Sequence, residues 1–132
     1  MEIVPFESVG QLRFGDTRDT ARRKLASPFA AFKKVASEEP TDSFDGLGLH
    51  VYYDDDGRVE FVEAFDPAEI TFCGVRFLGR SVDDIVEDMR RLGHESQEGD
   101  VGPDFPTAGI ALTASIDETV EGVAAHRAGY YD

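Results

Sequence analysis

Three consecutive aspartates followed by a glycine, Asp54-Asp55-Asp56-Gly57, form the densest group of potential ligands in the chain. A calcium loop of the EF-hand type takes ligands from positions 1, 3, 5, 7, 9 and 12 and needs glycine at 6. With Gly57 at the sixth position, Asp54 and Asp56 become the third and fifth, and Glu63 the twelfth. The first would be Tyr52, which brings no carboxylate, and such a loop sits between helices. Both flanks here alternate with period two instead: Leu49, Val51 and Tyr53 before the turn, Val59, Phe61 and Glu63 after it. Asp-Gly is a strong hairpin signal because both residues tolerate positive φ. The stretch is expected to be a hairpin, with no metal site.

Other candidate chemistry is sparse. His50, His94 and His126 lie far apart and show no metal-ligand spacing. There is no nucleophile elbow, phosphate-binding loop, C-x-x-C or dinucleotide fingerprint. The carboxylates are too many for any two to stand out as an acid and a base. No catalytic residue and no cofactor is assigned. A Ser-His-Asp site needs no adjacency in sequence, so a small enzyme or ligand-binding domain, with a pocket between sheet and helices, is the alternative reading. The single cysteine, Cys73 in TFCGVRF, is expected to be a small buried hydrophobe.

The elements that would carry these residues follow from composition and pattern. The chain has 132 residues, 41% of them hydrophobic, with ten Phe and four Tyr, which suits one folded domain over 1–132. No apolar run approaches the roughly 20 residues that span a bilayer. MEIVPFESVG lacks the basic and apolar regions of a signal peptide, so a cytoplasmic location is expected. The 27 acidic residues outnumber the 13 basic ones, for a net charge of −14. Such a surface repels nucleic acid and anionic membranes. It draws in a basic protein by long-range steering, or serves solubility alone.

Two stretches echo each other. Gly48, Leu49, Val51, Asp56, Val59 and Val62 match Gly109, Ile110, Leu112, Asp117, Val120 and Val123 at a constant shift of 61. Gly15, Thr17, Asp19, Ala21 and Leu25 match Gly79, Ser81, Asp83, Ile85 and Met89 at a shift of 64. Pseudo-repeats over about 10–66 and 73–126 are therefore expected, each a short strand, a capped helix and a hairpin. In the second, Ser81 and Asp84 form a capping box, Val82, Ile85, Val86, Met89 and Leu92 share a helical face, and Gly93 closes the helix. In the first, Asp16 or Thr17 caps a helix that turns Ala21 and Leu25 inward and ends at Ser27-Pro28. FAAFKKVA (29–36) fits a further helical turn or an extended segment, and the repeat favours the latter. SEEPTDSFDG and EGDVGPDFPTAG are expected to be loops. The first helix carries Arg18, Arg22, Arg23 and Lys24 where the second carries Asp83, Asp84, Glu87 and Asp88. Two solvated faces explain this, and so does head-to-tail pairing of two copies in a homodimer.

The FGDTRDTARRKL opening (14–25) and the GLHVYYDDDGRVEFVEAF hairpin (48–65) together resemble β-lactamase inhibitor protein and the small outer-membrane assembly lipoproteins that share its α+β repeat. They are also similar to small cytoplasmic bacterial proteins that include immunity proteins of toxin systems. The resemblance covers about residues 10–65, with a weaker echo over 75–125. The chain lacks the signal peptide, the lipobox cysteine and the disulfide pair of the first two families, so no binding residue carries over. The resemblance implies a layered α+β fold and a binding role.

The expected architecture is α+β: two tandem strand–helix–hairpin repeats forming one antiparallel sheet, with helices packed on one face. The expected function is a protein-binding module, such as an immunity protein that neutralises a basic toxin, for example a nuclease; a structural homo-oligomer is a further alternative. The expected contact residues are Tyr52, Asp54, Asp55, Asp56 and Glu60, an aromatic anchor amid acids.

Overall fold

The computed structural model describes residues 1–33 and 39–131. Numbered in chain order, β1 (Ile3–Val4), β2 (Ser8–Val9) and β3 (Leu12–Arg13) make a small sheet, and α1 (Arg18–Leu25) follows. Next come β4 (Ala30–Phe32), β5 (Thr41–Phe44), β6 (Leu49–Tyr53) and β7 (Val59–Ala64). The hairpin β8 (Thr71–Phe72)–β9 (Val75–Arg76) leads to α2 (Val82–Arg91). The chain ends with β10 (Gln97–Glu98), β11 (Pro103–Phe105), β12 (Ile110–Ala114) and β13 (Val120–His126). The main sheet has eight antiparallel strands in the order β10-β11-β12-β13-β7-β6-β5-β4. Its two meanders join at the centre, where Val123 to His126 of β13 lie opposite Ala64 to Phe61 of β7.

Local chemistry explains the helix limits. The Thr17 hydroxyl accepts from the Thr20 N–H at 3.2 Å, and the chain leaves α1 through Ala26 in the left-handed region before Ser27-Pro28. The Ser81 hydroxyl accepts from the Asp84 N–H, and α2 buries Val82, Ile85 and Met89. Past its end, Gly93 at φ +89° donates to the Arg90 carbonyl and His94 to that of Met89, a Schellman stop. Leu92, expected on the inward face, occupies the cap position beyond the last turn and is exposed.

One buried cluster unites Leu49, Val51, Val62, Ile110, Leu112 and Val123 of the sheet with Ala21 of α1 and Ile85 and Met89 of α2. On β6 the alternation is regular, with Leu49, Val51 and Tyr53 in and His50 and Tyr52 out. On β7 it is not. Tyr53 lies opposite Val59 but Tyr52 lies opposite Phe61, so Glu60 is an extra, bulged residue. Val59, Val62 and Ala64 consequently enter the core while Phe61 and Glu63 turn to the other face. The expectation that Val59, Phe61 and Glu63 share a face is corrected by that bulge.

Other expectations also change. The segments taken as loops hold strands: β5 lies in SEEPTDSFDG and β11 in EGDVGPDFPTAG. Of FAAFKKVA, Ala30–Phe32 is a strand and 34–36 lie outside the described residues. Cys73 is exposed rather than buried, because Cys73-Gly74 is the two-residue turn of β8–β9, with both φ positive. The neighbouring Phe72, Val75 and Phe77 are the buried members of TFCGVRF.

The helix charges find partners within the chain. Arg22 grips Asp42 of β5, whose side chain is 0% exposed, through Nε at 2.8 Å and Nη2 at 2.9 Å. The Tyr53 hydroxyl donates to the same carboxylate at 2.8 Å, and Arg18 lies 4.0 Å from it with its guanidinium over the Tyr53 ring. On α2, Asp88 pairs with Arg80, and Glu87 with Arg90 and Arg91. Two of the four α1 cations therefore point into the fold.

Candidate functional site

The sheet face turned away from α1 and α2 is crossed by one continuous row of opposed residues. It runs Gln97, Asp104, Ala111, Ala124, Glu63, His50, Ser43 and Ala30, one from each of the eight strands. No described helix covers this face. Alanines at the centre of the row leave a depression where larger side chains would fill the surface. Beside it runs a second row, His126, Phe61 and Tyr52.

After β13 the backbone folds back over this face. Arg127 donates to the Glu60 carbonyl at 2.9 Å, Gly129 takes φ +76°, and Tyr130 and Tyr131 land on the sheet. Tyr130 packs on Phe61 (5.1 Å between ring centres) and stacks on His126 (5.5 Å), while Tyr131 meets His126 and Tyr130 edge-on, at 4.9 Å each. Phe6 closes the far side of His126 at 5.9 Å. Between this aromatic wall and the segment carrying Asp100 and Asp104 lies a cleft of about 550 Å³ with Ala111, Thr113 and Ala124 on its floor. That volume is in the range of sites that hold a small molecule or an inserted side chain.

The electrostatics of the cleft are one-sided. Burial, then the charge of Asp100, pushes the Asp104 carboxyl above its ordinary value, with His126 opposing. Burial, then Asp104 and Asp100, pushes the Tyr131 phenol up. Burial also raises Tyr130, with Glu60 adding to it. Among the described residues neither Asp100 nor Asp104 has an ion-pair partner. Glu60 is raised chiefly by burial, although Arg127 at 3.4 Å opposes the shift. A second, smaller aromatic group sits further along the row, where His50 lies between Phe32 and Phe65 and 3.5 Å from Glu63.

The aspartate turn is the tip of the β6–β7 hairpin. Gly57 at φ +74° donates to the Asp54 carbonyl, and Asp54 Oδ1 accepts from the N–H groups of Asp56 and Arg58. The turn is fastened to the start of α1 by Arg18 N–H to the Gly57 carbonyl and Arg58 to the Gly15 carbonyl. Asp55 and Asp56 are exposed there. Among the described residues no three His, Cys, Asp or Glu side chains converge to hold a metal ion. Of the expected contact residues, the structure sets Tyr52 against Phe61 at 5.2 Å and brings Glu60 beside Arg127, both next to the cleft. Asp54, Asp55 and Asp56 sit at the hairpin tip, where the charges of Asp54 and Asp55 still act on the Glu60 carboxyl. Sequence reasoning missed Phe61, Asp104, His126, Tyr130 and Tyr131. The usable signal was the Tyr130-Tyr131 doublet in an otherwise small and polar segment.

No protein-family model matches the chain, and it has no significant match among curated proteins or solved structures.

Proposed function

We propose that the protein is a binding module that holds a basic protein partner against the open face of its sheet. The observation that carries this reading is the face no described helix covers: half-buried Phe61 and Tyr52 in one row and the Glu63 and Asp104 carboxylates in the row beside it, on a chain of net charge −14. Aromatic anchors within a polar, charged surround are what protein interfaces use as centres of affinity. Eight strands at about 4.8 Å spacing, of two to seven residues each, present roughly 550 Å² before the turns and the 127–131 segment are added. One partner's share of a standard interface is about 800 Å². Steering by the acidic surface would speed capture of a basic partner. Asp54–Asp56 then serve as a charged rim, with Tyr52 and Glu60 nearer the centre. An immunity protein that occludes a basic toxin, such as a nuclease, is the specific form of this role that the resemblance favours.

The breadth of the face has a natural origin in duplication of one strand–helix–meander unit. Supporting it, Gly15 and Gly79 donate to the Val59 and Val120 carbonyls, and Val59 and Val120 donate to those of Asp16 and Arg80. Asp54 donates to Arg58 as Ser115 does to Thr119, and Phe65 to Gly48 as His126 does to Gly109. These bonds recur at the shifts of 61 and 64 found in the sequence.

The test is capture of tagged protein from a lysate of its host, run beside two variants. Phe61→Ala/Tyr130→Ala alters the open face and Arg91→Ala the helical side. A basic protein retained by the parent and by Arg91→Ala, released by salt and lost from the open-face variant, is the expected result. Equal retention by all three would overturn the reading. The cleft also fits a small-molecule site by volume, and retention of no protein at all would favour that second reading.

A further inference from the structure

The cleft of the open face is chemically selective. His126 is 7% exposed and lines it. Its Nδ1 lies 3.0 Å from the Arg127 carbonyl oxygen. A carbonyl only accepts, so Nδ1 carries the proton, and in the neutral ring Nε2 is left as a lone-pair acceptor. Nε2 has no partner among the described residues. Yet it is not sealed in, since no side-chain nitrogen or oxygen among them is both fully buried and unbonded. The same cleft is lined by the Asp104, Asp100 and Glu63 carboxylates and by the rings of Tyr130 and Tyr131. Carboxylates and a lone pair accept, and ring faces attract positive charge. Arg127 bonds Glu60 and lies 6.0 Å from the centre of the Tyr130 ring, but is not itself part of the lining.

We infer that this cleft is a guanidinium-binding site that receives an arginine side chain of the partner protein. The inference rests on reading the open face as a protein-binding surface and specifies what enters it. A guanidinium is planar, stacks on aromatic rings, and offers paired N–H donors that match a carboxylate in bidentate fashion. Here the exposed Tyr131 ring supplies the stacking surface, since Tyr130 is already flanked by Phe61, His126 and the Arg127 guanidinium, with Asp104 as the carboxylate and, in the neutral ring, His126 Nε2 as a further acceptor. Asp104 and Asp100 stand on the same side of the cleft with no ion-pair partner among the described residues, and a bound cation relieves their repulsion. A lysine ammonium meets the charge requirement but neither stacks nor bonds in a fork.

The experiment is amide-resolved NMR titration of the full chain with N-acetyl-arginine amide, with N-acetyl-citrulline amide as its uncharged near-isostere and N-acetyl-lysine amide beside them. The expected result is saturation by the arginine probe at roughly millimolar concentration, with shifts centred on Ala111, Ala124 and Tyr131. Citrulline should bind at least tenfold more weakly and lysine several-fold more weakly. Asp104→Asn should weaken the arginine probe at least fivefold, whereas Asp55→Asn at the hairpin tip should leave it unchanged. The same spectra report whether each variant is folded. Shifts that citrulline reproduces, shifts scattered over the acidic surface, or an Asp104→Asn titration equal to the parent's would each overturn the proposal. If capture of a basic partner is lost with Phe61→Ala/Tyr130→Ala but unchanged with Asp104→Asn, the open face stands as the docking surface and this site falls. If the probe binds as expected but no partner uses the face, the chemistry of the cleft stands and its assignment to a protein's arginine falls.

Discussion

Replacing Arg22 by valine, the residue type that stands 64 positions later at Val86, removes the main partner of a carboxylate with no access to water. Asp42 would keep only the Tyr53 hydroxyl at 2.8 Å and Arg18 at 4.0 Å. Breaking a buried pair from one side costs about 3–5 kcal/mol, because an uncompensated charge stays behind. Arg22 is itself 28% exposed and Arg18 remains near, which places the loss at about 3 kcal/mol. Against a domain stability of about 5–15 kcal/mol the variant stays folded, with its melting temperature lowered by roughly 10 °C. Replacing the whole group, Arg22→Val/Asp42→Val/Tyr53→Phe, leaves no stranded charge or hydroxyl and should lose under about 1.5 kcal/mol. At the sequence shifts of 64 and 61 from these three residues stand Val86, Pro103 and Ala114, none of which carries a charge or a hydroxyl. Urea unfolding at neutral pH measures all of these. A single variant that loses less than about 1 kcal/mol, or a triple variant that loses more than the single, would refute the reasoning.

Gly48 and Gly57 share positive φ but not space: a Cβ at Gly48 would lie 2.1 Å from the Phe65 carbonyl oxygen, whereas at Gly57 nothing lies within 4 Å. Gly48→Ala should therefore cost about 3 kcal/mol or more and Gly57→Ala about 1 kcal/mol, read by thermal melting. Glu118, at φ +61°, stands where the first turn has Gly57, and Glu118→Gly should stabilise by about 0.5 kcal/mol in the same assay. The Tyr53 phenol is pushed up by burial and by its hydrogen bond to Asp42, and a raised folded value means its stabilisation is complete below the ordinary value of 10.0 and lost as pH rises beyond it. A phenolate absorbance titration should accordingly show Tyr53 ionising only together with alkaline unfolding, and Tyr53→Phe should abolish that late step. Asp104→Asn should raise the stability of the free protein slightly at neutral pH, since it relieves burial of a charge beside Asp100, with a lowered melting temperature arguing against the electrostatics described. Cys73 should react with a thiol reagent in the native state without unfolding, and strong protection would contradict its exposed place at the β8–β9 turn.

Legibility in the sequence followed periodicity. Both helices and the hairpins β6–β7 and β12–β13 carry their own signals: Thr17 and Ser81 as caps, alternation at Leu49, Val51 and Tyr53, and an Asp-Gly turn. β5 and β11 do not. Asp42 is a charge inside the core, which breaks any apolar pattern in TDSF, and β11 begins with proline, which reads as a loop. The bulge at Glu60 inverted the faces of Phe61 and Glu63, because one extra residue shifts every side chain after it. The cleft was illegible for a different reason. Its floor and walls come from β7, β11, β12, β13 and the segment after β13, and only the pairing of β13 with β7 brings them together. Tyr52 and Glu60 could be placed on the β6–β7 hairpin from the sequence because its turn carries its own signal. Asp104 and His126 are single polar residues with no spacing to mark them.

The most direct measurement of the central claim is a hydrogen–deuterium exchange footprint of the protein bound to the partner it captures. Protection is expected in β7, β12, β13 and residues 127–131, with exchange in α1 and α2 unchanged. Protection confined to the helices, with the open face exchanging as in the free protein, would contradict it.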